Sequence, residues 1–140
     1  MKTLKSILLG LTLLVASTVA NAKTLPAVAL TKNDVLNSYV NAVVHGKVEG
    51  IENIFDKNLK FVMYRNDKEF NLNKAELLES LKASENVEQK CTYTTSIVSD
   101  KDSKMVVKLI MKYDGYVRTN TITISQKNDD FQITRIETES

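Results

Sequence analysis

From about residue 88 onward the chain alternates apolar and polar residues with a period of two, and an Asp-Gly pair stands inside "YDGYVRTNTITI", residues 113–124. Four such runs, near 89–99, 104–113, 116–126 and 131–138, are separated by "DKD", "DG" and "KNDD". Asp-Gly between alternating runs specifies a type I′ hairpin, because both central residues of that turn need positive φ. Runs joined this way predict a four-strand antiparallel meander. A slip of one residue would turn every side chain to the opposite face, so the pattern also fixes the register.

The preceding part is helical in pattern. Thr31 followed by Asp34 has capping-box spacing, with Asn33 as an alternative cap. Val35, Leu36, Tyr39, Val40, Val43 and Val44 then form one apolar stripe ending at Gly46. "VEGIENIF" predicts a short second helix, weakened by Gly50, and "NLKFVMYRN" a strand that breaks at "NDKE" and returns through "FNL". Asn73 and Glu76 repeat the capping spacing ahead of Leu77, Leu78 and Leu81, which predict a third helix. Helices first and a long sheet last imply an α+β fold with the helices on one face of the sheet.

At the N-terminus Lys2 and Lys5 precede "ILLGLTLLV" and then Ala20-Asn21-Ala22. That is the order of a cleavable secretory signal over residues 1–22, cut between Ala22 and Lys23. The apolar run is too short for a span of about 20 residues, so no membrane span is expected after cleavage. A periplasmic or secreted location follows. Residues 23–30, which include the only proline, read as an extended lead-in to a single domain over residues 31–140. Removing the signal leaves 118 of the 140 residues; Lys2 and Lys5 are its only charges, so 17 basic and 17 acidic residues remain. A balanced charge argues against nucleic acid, which demands a concentrated positive field.

Cys91 is the only cysteine and cannot form an internal disulfide. It could serve as a nucleophile with His45 as base, or as a small buried hydrophobe, and the second is the expectation. One histidine and one cysteine exclude zinc, and "DKD" and "NDD" lack the loop length of a calcium site. No motif calls for a cofactor.

The hairpin arithmetic assigns the faces. With Asp114-Gly115 as the loop, Tyr113 pairs with Tyr116, Met111 with Arg118, Leu109 with Asn120, and Val107 with Ile122. The core face then carries Arg118 and Asn120 among apolar residues. Alternation adds Cys91, Tyr93 and Ile97 from the first run, and Phe131, Ile133, Arg135 and Glu137 from the last. An arginine cannot be buried unpaired, since desolvating an ion costs several kcal/mol. Either Glu137 neutralises Arg118, or Arg118 and Asn120 line the mouth of an apolar cavity and hold a ligand. The ion pair is the expected answer. The pocket candidates are Tyr39, Cys91, Tyr93, Met111, Tyr113, Tyr116, Arg118, Asn120, Arg135 and Glu137.

This order of elements resembles the nuclear transport factor 2-like superfamily. "GKVEGIENIFDKNLKFV" is similar to its small helix, aromatic and acidic residues and first strand, "NKAELLESL" to its third helix, and "DDFQITRIETE" to its closing strand. The resemblance covers the mature chain and is nearest to small exported members described as lumazine-binding or polyketide-cyclase-like. It implies a cone: a curved sheet wrapped with helices around a pocket for a small apolar or amphipathic molecule. It supplies no acid–base pair. An isomerase-, dehydratase- or cyclase-type enzyme is the alternative, with Tyr93 or Tyr113 polarising a carbonyl and Glu137 or Asp56 moving the proton. A homodimeric module is a third class, its interface marked by Val106, Ile110 and Val117 on the polar face.

Overall fold

The computed structural model describes residues 29–140. The signal segment, its cleavage point and most of the lead-in lie outside the described residues. Helix α1 (Lys32–His45) starts at Thr31, whose hydroxyl accepts from the Asp34 amide while the Asp34 carboxylate accepts from the Thr31 amide. It ends at Gly46 in the left-handed conformation, φ 69°. The expected second helix is only a 3₁₀ turn, Ile51–Ile54, entered through Gly50 at φ 72°. Four residues after a left-handed glycine are too few for an α-helical ladder, but Ile51 and Ile54 still plug the core. Strands β1 (Phe55–Arg65) and β2 (Lys68–Leu72) form a hairpin, and α2 (Lys74–Ala83) follows, capped by Asn73 and Glu76. Strands β3 (Thr92–Lys101), β4 (Lys104–Tyr113), β5 (Tyr116–Lys127) and β6 (Asp130–Glu139) complete the chain.

All six strands join one mixed sheet in the order β2-β1-β6-β5-β4-β3, antiparallel except where β1 runs parallel to β6. Helix α1 packs on β5 and β6, and α2 on β1 and β2. Their apolar stripes meet the inner face of the sheet in a core that includes Val35, Tyr39, Phe55, Leu109, Ile122 and Ile136. No described helix is long and apolar enough to cross a membrane.

The β4–β5 register is the one expected for a two-residue Asp114-Gly115 loop, with Met111 opposite Arg118 and Leu109 opposite Asn120, but the turn is not type I′, since Gly115 is at φ 93° and Asp114 is not at positive φ. Two expectations about the flanking strands need correction. Tyr93 and Ile97 pair with Met111 and Val107 and so share the inner face, but they are 41% and 61% exposed. The helices pack on other strands, which leaves β3 beyond their cover.

The second correction concerns β6. Ile124 pairs with Ile133 and Thr123 with Arg135, so Thr134 is an extra residue and the ladder bulges there. Beyond the bulge the faces exchange. Ile136 and Thr138 turn inward opposite Ile122 and Asn120, while Arg135 and Glu137 stand opposite Thr123 and Thr121 on the outer face.

Candidate functional site

Between the two helices and the inner face of the sheet lies a cavity of about 160 Å³. Ala42 and Val43 of α1, Leu77 and Leu81 of α2, and Phe61 and Met63 of β1 form its apolar walls. Its polar end combines Tyr39, Gln89, Tyr113, Arg118, Asn120 and Thr138, with Ser80 and Ser84 at the end of α2.

Asn120 is explained by hydrogen bonding. Only 3% exposed, it accepts at Oδ1 from the Thr138 hydroxyl at 2.8 Å and the Tyr39 hydroxyl at 3.5 Å, and its Nδ2 donates to Met111 Sδ at 3.7 Å. The bulge at Thr134 is what brings Thr138 inward to meet it. Burial pushes the Tyr39 phenol far above its ordinary range, against a smaller lowering by Arg118. Tyr39 is therefore a neutral donor over the whole physiological range.

Arg118 is the group with no such explanation. It makes no ion pair among the described residues. Its Nε is buried and has no hydrogen-bond partner there. Glu137, its expected partner, is on the opposite face and pairs with Arg135 Nε at 2.7 Å. What Arg118 does touch is the Tyr113 ring, with Cζ 5.7 Å from the centroid. Tyr113 in turn stacks on Tyr116, centroids 4.6 Å apart and rings 5° from parallel, and its hydroxyl donates to Gln89 Oε1 at 2.8 Å. Burial raises the Tyr113 phenol and the guanidinium pulls it back down.

Of the sequence-derived candidates, Tyr39, Tyr113, Arg118 and Asn120 line the cavity. Met111 is fully buried beneath Asn120. Tyr116 is a half-exposed brace for Tyr113 rather than a wall of the cavity, and Cys91 is part-buried beside the core. Tyr93 lies edge-on to His45, 6.0 Å between centroids, outside the cavity. Arg135 and Glu137 are excluded from it by the bulge.

The thiol–imidazole pair does not form. His45 Nδ1 meets Glu88, while burial pushes the Cys91 thiol up, the wrong direction for a nucleophile. Asp56 caps the turn at Asn58 and faces Lys127 at 3.9 Å, away from the cavity. Among the described residues no group of acidic, histidine or cysteine side chains could hold a metal ion.

Sequence reasoning did not place Gln89, Ser80, Ser84 or Thr138 at the site. Only Thr138 left a trace. Ile133 and Ile136, both core residues, are three apart and break the period of two.

The fold is that of the nuclear transport factor 2-like proteins. The chain is similar to an NTF-2 like protein of unknown function from Silicibacter pomeroyi, with a TM-score of 0.63 and 14% identity over 76% of this chain and 89% of that one. It is also similar to an NTF2-like protein of unknown function from Methylobacillus flagellatus, with a TM-score of 0.58 and 17% identity over 76% and 86% of the two chains. A third is a putative calcium/calmodulin-dependent protein kinase type II association domain from Thiobacillus denitrificans, with a TM-score of 0.57 and 7% identity over 80% and 96%. No family model matches the sequence, and no curated protein does.

Proposed function

We propose that this chain is an exported, small-molecule-binding protein whose site is the cavity between α1, α2 and the sheet, with Arg118 as its polar anchor. The observation that carries this is the buried Arg118 Nε with no partner, at the edge of a cavity that is apolar on its other side. A buried, unpaired guanidinium N–H costs free energy that a folded chain normally avoids. A bound group that accepts a hydrogen bond removes that cost. A few polar groups on an apolar wall are the usual composition of a ligand site.

Within the same proposal the sheet curls as a cone closed by its C-terminal four-strand meander, and residues 1–22 direct export. The lumazine-binding or polyketide-cyclase-like subtype is the nearest label for such a receptacle. Binding is placed ahead of isomerase, dehydratase or cyclase chemistry because no carboxylate or imidazole lines the cavity among the described residues. It is placed ahead of a homodimer interface because Lys108, Lys112, Arg135 and Glu137 interrupt the apolar residues of the outer face.

Native mass spectrometry of protein purified from its own host tests the proposal. A stoichiometric adduct is expected, lost on Arg118→Ala with the fold retained by circular dichroism. An adduct that persists unchanged in Arg118→Ala would refute the role of Arg118. N-terminal sequencing of the same material is expected to begin at Lys23.

A further inference from the structure

We infer that the cavity takes a compact monocarboxylate, a molecule with one carboxylate group on an apolar body about the size of a single six-membered ring. This rests on the cavity being a binding site and adds the chemical class of its occupant.

The sign of the charge comes first. Among the described residues Arg118 is the only ionisable cation in the lining, and no aspartate or glutamate there competes for it. A cationic ligand would face an uncompensated like charge, and a neutral one would leave the guanidinium without a counter-charge in a partly apolar space. One negative charge balances the site. A phosphate, which carries nearly two near neutrality, would leave an excess with no second lysine or arginine among the described lining residues to meet it.

Geometry then selects a carboxylate. No hydrogen bond occupies the Arg118 fork among the described residues; Nε is covered as well as unpartnered, so the two-pronged contact that carboxylates make with arginine uses the terminal N–H groups, or Nε–H once the side chain turns toward the cavity. The neighbouring polar groups can support it. Asn120 Nδ2 is engaged only by a thioether, and Gln89 receives the Tyr113 hydroxyl at Oε1, which leaves its amide N–H groups to donate.

The walls set size and character. The cavity measures about 160 Å³; an apolar protein cavity of about 150 Å³ accommodates benzene. Phe61, Met63, Leu77 and Leu81 supply the apolar surface, and Met63 is unbranched and can adjust to the body's outline. A fused second ring exceeds this volume and would have to project through the mouth of the cavity or displace its walls.

Titration calorimetry and thermal unfolding with benzoate, benzamide, phenyl phosphate and 2-naphthoate test the inference on the wild-type protein. Benzoate is expected to bind at one site per chain. Benzamide and phenyl phosphate are expected to bind at least about tenfold more weakly, since a charged hydrogen-bond pair contributes on the order of 1.5–3 kcal/mol. 2-Naphthoate is expected to bind more weakly than benzoate. Arg118→Gln should bring benzoate down to the level of benzamide, and Arg118→Lys, which keeps the charge but loses the fork, should fall between. If benzamide or phenyl phosphate equals or exceeds benzoate, the carboxylate class is wrong while a binding cavity stands. If 2-naphthoate binds as well as benzoate, the size limit is wrong. If none of the four binds and host-purified protein carries no adduct, both the class and the cavity's role as a site fall.

Discussion

Arg135 and Glu137, two residues apart on β6, close an ion pair with each other at 2.7 Å on the face of the sheet opposite the cavity. The bulge that turns Glu137 to that face, with this contact holding it there, removes the acidic partner expected for Arg118 from the neighbouring strand. Both partners are about two-fifths exposed, and such pairs contribute about 0–1 kcal/mol. Glu137→Gln is therefore expected to lower the unfolding free energy measured in urea by no more than that, and to leave Arg118-dependent ligand binding unchanged. A loss of several kcal/mol, or a change in binding, would mean that Glu137 reaches Arg118 after all.

The bulge behind this arrangement shows what could be read from the residues alone. The Asp114-Gly115 turn admits only one pairing of β4 with β5, so the positions of Arg118 and Asn120 on the inner face were legible. The faces of Arg135 and Glu137 were not, because one extra residue at Thr134 reverses parity for everything after it. Strict alternation puts Phe131, Ile133 and Arg135 on one face, and the three-residue step from Ile133 to Ile136 was the only counter-signal. For Tyr93 and Ile97 the alternation gave the right face but not the burial. Period two reports which way a side chain points, and cover depends on where the helices stop. Helices α1 and α2 were legible from their caps, whereas the segment after Gly50, which has no side-chain cap, forms only a 3₁₀ turn. The loop that delivers Gln89 was not, since it has no period and is placed by contacts with the end of α1.

The Tyr39–Asn120–Thr138 network should rank its members by how many partners each deletion strands. Asn120→Ala orphans two buried hydroxyls and is expected to cost about 2–4 kcal/mol, at about 1–3 kcal/mol for each group left unsatisfied and with the two partially relieving each other. Thr138→Val removes the shorter bond, 2.8 Å, and should cost about 1 kcal/mol. Tyr39→Phe removes only the 3.5 Å contact and should cost least. Urea denaturation of the three variants checks the order. An Asn120→Ala protein as stable as Tyr39→Phe would show that the amide is not the hub.

Alkaline pH should expose the burial of Tyr39. Its folded-state pKa lies above the ordinary 10.0 because burial disfavours the phenolate. The neutral form is thus bound preferentially by the folded state. The linked stability is fully present below pH about 10 and declines as pH rises from there towards the folded value. Tyr113 shifts in the same direction from the same cause. Stability measured by urea unfolding is expected to hold up to pH about 10 and then fall, with a shallower fall in Tyr39→Phe. Identical slopes in the two proteins would mean that Tyr39 ionises as freely when folded as when unfolded.

Gly46 and Gly50 both sit at positive φ, 69° and 72°, yet only one of them is hemmed in. A Cβ on Gly50 would meet nothing within 4 Å, whereas one on Gly46 would lie 2.6 Å from the backbone nitrogens of Asn86 and Val87 and 2.8 Å from the Ser84 carbonyl oxygen. The loop after α2 is docked there by Asn86 N–H to Gly46 O and Gln89 N–H to Val44 O, both 2.8 Å. Gly50→Ala should therefore cost only the left-handed penalty of about 1–2 kcal/mol. Gly46→Ala must add to that the displacement of a backbone segment. Because that segment carries Gln89 to its bond with Tyr113, Gly46→Ala is also expected to weaken ligand binding, while Gly50→Ala leaves it intact. Parallel urea titrations and binding measurements on the two variants check both halves, and equal losses in the two would show that the loop is not held by its approach to Gly46.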